Sequence, residues 1–188
     1  MISNVAPVRS VPGRSLDGNR CRHCSETETL SHVLGNCPHG ALQRTARHNH
    51  IRKLIADEFR KQYTVVEEKN CHAIGGSTRR FDILVIDETT RKSWMIDPTI
   101  RFEKNEAQAN DVHQEKVRIY EPCIPNIMQQ YSLNSVEIIG LLIGARGTIY
   151  KQFEDLRRRF NLSSELRDGV ALHAIKSSIR ILNSHLYN

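Results

Sequence analysis

Long hydrophobic runs are missing from this chain. No uninterrupted apolar stretch approaches the roughly 20 residues that a membrane span needs, so no transmembrane helix is expected. No secretory leader is evident, and neither an internal repeat nor a low-complexity segment is present, which argues against repeat architectures. Cysteine is scarce as well. Of five in 188 residues, three fall between positions 21 and 37, which leaves Cys71 and Cys123 as expected free thiols in a reducing, intracellular setting. Acidic charge is the minority sign: 21 Asp and Glu against 27 Lys and Arg give a net +6, a balance that suits an anionic partner such as nucleic acid. The length has room for one ordinary core plus a small appended module, but not for two large domains.

The few cysteines are not scattered. Cys21, Cys24, His32 and Cys37 read Cys-x2-Cys-x7-His-x4-Cys, three thiolates and an imidazole at a spacing that suits tetrahedral Zn2+. Four protein ligands leave no open position, so the expected zinc is structural and its binding energy is folding energy for the surrounding residues. His23 and His39 compete for the role of His32. Each lies beside or close to a cysteine, where backbone direction makes joint coordination awkward. The competing reading, scattered core residues or disulfide partners, fits poorly with the polar neighbours Arg22, Ser25, Glu26 and Thr27.

Residues 1–20 carry Pro, Gly and Ser without periodicity and read as a flexible lead-in, with 21–40 as the zinc module and 44–188 as the main domain. Ile51, Leu54, Ile55 and Phe59 recur at helical spacing within 44–63. Val65 and Val66 suggest a short strand. Two apolar, β-branched runs, 81–87 and 92–100, flank a four-residue turn and predict a buried hairpin. A helix over 106–121 stops at Pro122, a strand follows over 136–143, and two further helices carry Ile149 to Phe160 and Leu172 to Leu186. The order predicts an α/β fold with a small mixed sheet flanked by helices.

Charges stand where this core should be. If Asp87 and Lys92 close the turn, Asp82 faces Asp97 across the hairpin, on the face shared with Leu84 and Ile86. Like charges so placed destabilise a sheet unless a cation joins them, and an all-oxygen donor set suits Mg2+ or Mn2+. The competing arrangement is a register shifted by a residue or two, with Asp97 ending its strand before Pro98. On the next helix Lys116 falls within the apolar stripe of Ala109, Val112, Ile119 and Tyr120, where it either meets an anion or snorkels to the rim. Glu58 falls between Leu54 and Ile55 on the inward face of the first helix. His48, near that face, reads as a hydrogen-bonded core or interdomain histidine rather than a ligand.

Asp82 and Asp97, with a lysine displaced onto the following helix, resemble the PD-(D/E)xK restriction-like nucleases. Arg80-Phe81-Asp82 and the Lys116-x3-Tyr120 element are similar to the variant carried at the C-terminus of site-specific non-LTR retrotransposon proteins. So are the long central gap of the Cys/His motif and Arg47-His48-Asn49. Phe81 departs from the usual proline, and Thr99 stands where a conventional nuclease has its lysine, which hands that role to Lys116. The resemblance implies a restriction-endonuclease-like fold behind a zinc knuckle. It further implies metal-dependent nicking of target DNA that leaves a 3′-OH primer for reverse transcription, in the nucleus. Asp82 and Asp97 would hold Mg2+ or Mn2+, Lys116 would stabilise charge on phosphorus, Glu58 would reach the metal through water, and Tyr120 would position the site or touch phosphate. Arg79, Arg80, Arg157, Arg158 and Arg159 are candidate DNA-backbone contacts, although a solvated helix end is the commoner explanation of the arginine run. Implied partners are target DNA, the element's RNA and a reverse transcriptase domain on the parent polyprotein, for which this chain has no room. The alternative is a zinc-knuckle binding module for nucleic acid with an inactive or partner-dependent nuclease fold.

Overall fold

The computed structural model describes residues 20–187; the expected lead-in, apart from Arg20, lies outside them. Thr29 opens the first helix among the described residues, α1 (Leu30–Gly35), by accepting a hydrogen bond from the backbone N–H of His32. A 3-10 turn at Pro38–Gly40 leads into α2 (Ala41–Phe59). Four strands follow: β1 (Thr64–His72), β2 (Thr78–Ile86), β3 (Lys92–Arg101) and, after two helices, β4 (Ser135–Gly144). The helices between β3 and β4 are α3 (Gln108–Tyr120) and α4 (Ile124–Tyr131); α5 (Lys151–Arg159) and α6 (Ser164–Tyr187) close the chain.

The sheet order is β1-β2-β3-β4, with β1-β2-β3 antiparallel and β3-β4 parallel. It is the mixed sheet that the sequence pattern predicts. The strand expected at Val65 and Val66 is nine residues long, because its polar half, Glu67 to His72, continues the pairing along β2 from Ile83 back to Thr78. The helix expected to stop at Pro122 ends at Tyr120, but helix α4 has no counterpart in the expectation: Pro125 sits in its first turn, where a missing N–H costs nothing.

Side-chain alternation divides the core between the two faces of the sheet. Ile83, Val85 and Ile96 join Ile51, Ile55, Phe59, Phe153 and Val170 from α2, α5 and α6. Leu84, Ile86 and Met95 join Tyr120, Cys123 and Ile127 from α3, α4 and the turn between them. Burial on both faces explains why β2 reads as a nearly unbroken apolar run. On α6 the buried stripe is Leu166, Val170, Ala174 and Ile181, while Leu172 and Ile179 face outward. A third cluster joins Val33 and Leu34 of α1 to Ile181 and Leu186 of α6, so the Cys/His segment packs on the last helix rather than standing apart.

The pairing of β2 with β3 runs from Ile83↔Ile96 to Ile86↔Ser93, and Asp87 N–H bonds Lys92 O at 2.9 Å to close the turn. This is the register in which Asp82 and Asp97 come next in line. The ladder stops one step before them. Glu68, level with Asp82 on β1, is also skipped and takes a left-handed backbone with φ 53°. Pro98 therefore lies past the end of the β2 ladder, where it has no N–H to withhold.

Candidate functional site

Two clusters of chemically active side chains emerge from this frame. In the first, Cys21, Cys24, His32 and Cys37 bring their ligand atoms within 4.8 Å of one another. Cys21 Sγ lies 3.8 Å from Cys37 Sγ, and Cys24 Sγ lies 3.2 Å from His32 Nε2. A tetrahedral zinc with its usual bond lengths has ligand-to-ligand edges of about 3.3–3.8 Å, so the donor set fits. Burial pushes the Cys21 thiol up to about 12, with Cys24 and Cys37 adding to the rise. Only a cation makes such a packing of sulfurs favourable as thiolates. His23 and His39 do not join: their rings stack at 3.8 Å and hydrogen-bond to backbone carbonyls of α6.

No sequence pattern signals what surrounds this cluster. Glu28 is fully buried, receives two side-chain hydrogen bonds from Arg22 at 3.0 Å each, and lies 2.9 Å from His185 Nε2 of α6. Burial alone would raise its carboxyl, but the Arg22 and His185 contacts prevail and hold it at about 2. His185 Nε2 also lies 3.8 Å from Cys21 Sγ, which ties the cluster to the last helix.

The second cluster borders a cavity of about 440 Å³ lined by Asp82, Asp97, Thr99 and Lys116 on one side and by Arg44, Thr45, Arg47 and His48 of α2 on the other. Asp97 is only 3 % exposed. Lys116 Nζ lies 3.0 Å from its Oδ1, and Thr99 Oγ1 donates to the same oxygen at 3.3 Å. Tyr120, 5 % exposed, has its hydroxyl 2.9 Å from Asp97 Oδ2 and 3.0 Å from Arg80 O. With one proton it donates to one of them at a time, and the carboxylate is the stronger acceptor. Burial together with the charge of Asp97 pushes the phenol far up, so Tyr120 stays a donor. Burial also lifts the Asp97 carboxyl above its ordinary range, with the charge of Asp82 adding to it, even with Lys116 alongside.

Lys116 reaches Asp97 because of a glycine. Gly140 of β4 pairs with Asp97, and a Cβ there would come within 2.9 Å of both His113 Cα and Lys116 Cγ. The bare backbone lets α3 settle onto the strand at that point. His48, read from sequence as a core or interdomain histidine, instead has Nε2 3.0 Å from Asp82 Oδ2. That contact lifts the imidazole above its usual range against the opposing effect of burial. The signal available in the sequence was its place one turn before Arg52 on the helix that also carries Arg44 and Arg47.

Glu58 is not brought to this cavity. Its carboxylate accepts from Ser163 N–H at 3.0 Å and pairs with Lys61 at 2.6 Å, since the inward face of α2 centres on Ile51, Ile55 and Phe59 and leaves position 58 at the rim. Nor do the five candidate arginines line it. Arg80 pairs with Glu68 at 2.6 Å, Arg157 with Glu154 at 3.1 Å, and Arg159 with Glu137 at 2.6 Å; Arg79 and Arg158 are exposed. Cys71 and Cys123 are free, as expected, and buried.

No family model matches the chain. It is 31 % identical over 180 residues, 94 % of its length, to a "Retrovirus-related Pol polyprotein from type-1 retrotransposable element R2" of Popillia japonica, of which it covers 36 %. A second polyprotein of the same description and organism is 35 % identical over 81 residues, 42 % of the chain and 11 % of that relative. The chain thus spans about a third of the first relative and about a tenth of the second. This similarity supports a retrotransposon origin. Among the described residues no helix is long and apolar enough to cross a membrane.

Proposed function

We propose, from that ancestry and the geometry of the acidic pair, that the chain is the metal-dependent DNA endonuclease portion of a non-LTR retrotransposon protein. It would nick one strand of nuclear target DNA and leave a 3′-OH from which a reverse transcriptase, elsewhere on the parent polyprotein, copies the element's RNA. The observation that carries this reading is the convergence of Asp82, Asp97 and Lys116 on one cavity, from two strands and a helix. The four-stranded mixed sheet flanked by helices suits a restriction-like nuclease core, and the Cys/His cluster suits a structural zinc.

Asp82 and Asp97 are the residues that would hold Mg2+ or Mn2+. Two hard carboxylates, one of them buried against its preference for water, are the donor chemistry such ions favour. When bound, such an ion supplies Lewis acidity toward phosphate and acidifies water. The chain's own groups do the rest. Tyr120 and Thr99 fix the Asp97 carboxylate from both of its oxygens, and His48 fixes Asp82. Lys116 offers its ammonium to the charge that grows on the phosphate oxygens in the transition state, where a preplaced cation in a poorly solvated cavity is worth most.

A second reading has its own support. Each acid already has a basic neighbour, Lys116 or His48, as in a nuclease fold that has become an inactive nucleic-acid-binding module. Plasmid nicking in Mg2+ or Mn2+ separates the two. The nuclease reading expects nicking by the native chain and a loss of at least about a hundredfold in Asp97→Ala. Equal nicking by both would remove the acidic pair from the mechanism, and salt-sensitive binding without nicking by either would favour the binding module.

A further inference from the structure

The last helix ends against the Cys/His segment, and the polar contacts there run in both directions. The final four carbonyls of a helix have no partner within it. In α6, three of them accept hydrogen bonds from the Cys/His segment: Ser184 O from His39 Nε2 at 3.3 Å, His185 O from His23 Nε2 at 2.8 Å, and Leu186 O from Arg22 Nη1 at 3.5 Å. Basic side chains at that end also suit the negative pole of the helix. Their placement follows from the ligand spacing. Arg22 and His23 are the two residues between Cys21 and Cys24, and His39 is the second after Cys37, so the turns that present the sulfurs also present the donors.

From the helix back to the cluster runs His185. It and Glu28 are each 1 % exposed, so water does not serve either of them. His185 Nε2 lies 2.9 Å from Glu28 Oε2 and 3.8 Å from Cys21 Sγ; a carboxylate and a thiolate are both acceptors, so this nitrogen carries the ring's hydrogen. Cys21, Glu28 and His185 bring their ligand atoms within 4.8 Å of one another. Yet Glu28 already accepts from the Arg22 guanidinium and backbone N–H at 3.0 Å, which makes the trio an outer shell rather than a seat for a second ion. Three thiolates around Zn2+ leave one net negative charge, and a buried charge needs donors aimed at it. Glu28 orients the imidazole for that task, and Arg22 offsets Glu28.

We propose that His185 is a positioning residue of the zinc site and that the metal-held Cys/His segment is the C-terminal cap of α6, so that zinc binding and ordering of the last turns of α6 are one event. This rests on the reading of the Cys/His cluster as a zinc site. The coupling is reciprocal: the metal holds the cap that holds the helix, and the helix holds the histidine that favours Cys21 as a thiolate. Through Val170 and Ala174, which share a core with Ile51 and Ile55, the same helix carries that order into the main domain. The competing arrangement is a helix end held by Leu34, Ile181 and Leu186 alone, with or without metal.

Two measurements on the full 188-residue chain test the coupling. In the first, amide hydrogen exchange is compared between zinc-loaded protein and the same protein after chelation. Removal of zinc is expected to speed exchange over 181–187 of α6 by about tenfold or more, while β2 and β3 keep their protection. Unchanged exchange over 181–187 would overturn the cap, and so would an equal loss across β2 and β3. In the second, His185→Leu and His185→Gln are titrated with Zn2+ and with Co2+. His185→Leu is expected to bind zinc about tenfold more weakly and to move the sulfur-to-cobalt absorption to longer wavelength, because a thiolate without its donor gives up charge more readily. His185→Gln, which keeps an N–H near the place of Nε2, is expected to restore both. Native affinity and spectrum in His185→Leu, or a His185→Gln as weak as His185→Leu, would overturn the positioning role. The exchange comparison uses the native chain and decides even where His185→Leu does not fold. A native chain that binds neither metal removes the zinc reading itself, whereas one that binds metal without protecting 181–187 removes only the cap.

Discussion

The Cys/His cluster could hold a metal ion and the acidic pair is proposed to hold another, and almost everything else about them differs. The first uses soft donors from one stretch of chain, Cys21 to Cys37, that close on one another. The second uses hard donors from two strands, braced by two helices, and opens onto a cavity. In the first the chain itself supplies four ligand atoms. In the second, Lys116 stands 3.0 Å from Asp97, and the buried carboxyl still sits above its ordinary range. A closed site spends its binding energy on folding; an open one keeps a polar imbalance that a substrate can relieve. On the proposed reading, one cation would serve structure and the other chemistry.

Damage to each cluster in turn puts that assignment at greatest risk. Asp97→Ala should remove nicking, by at least about a hundredfold, and leave DNA binding and the melting temperature nearly intact. Cys24→Ser should do the opposite. The loss of a structural zinc, worth on the order of several kcal/mol, should melt the segment around it and weaken DNA binding before it alters the chemistry. A folded Cys24→Ser protein that binds normally and no longer cuts would reverse the division.

Smaller effects are expected around the acidic pair. Gly140→Ala forces Cβ against His113 and Lys116, so α3 must lift; a stability loss of about 1–3 kcal/mol with slowed nicking is expected from melting curves and single-turnover rates. Nicking at the native rate would mean that Lys116 does not act from its place over Asp97. His48→Gln should slow nicking about tenfold and raise the Mg2+ concentration needed for half-maximal rate, as loss of a group that orients a metal ligand does. An unchanged Mg2+ dependence would leave His48 a packing residue. Glu58→Gln should change the rate by less than about twofold, because its partners are Lys61 and Ser163. A large loss would bring Glu58 back to the metal.

What could be read in advance follows the same divide. The Cys/His set lies within one short stretch, so its spacing alone was legible. The register that aligns Asp82 with Asp97 followed from one turn, because the alternation of Leu84 and Ile86 leaves little freedom to slip. Lys116 and Tyr120 were legible as polar groups on an apolar stripe. Arg47-His48-Asn49 was legible as a resembling triplet, but its place at the cavity, like that of Arg44, was not, since α2 meets the cavity only in the tertiary fold. The helical wheel misplaced Glu58 by setting it between Leu54 and Ile55 in the middle of the inward face, when the fully buried face centres on Ile51, Ile55 and Phe59. The long β1 was hidden because its outer half is polar and its order comes from pairing with β2.

Whether the two cations divide structure from chemistry can be seen in anomalous scattering from crystals of the native chain with bound DNA, grown in Mn2+ and recorded at the zinc and manganese edges. Zinc is expected among Cys21, Cys24, His32 and Cys37, and manganese between Asp82 and Asp97. Manganese elsewhere, or a carboxylate pair that stays with Lys116 and His48 while DNA lies at the cavity, would contradict that division.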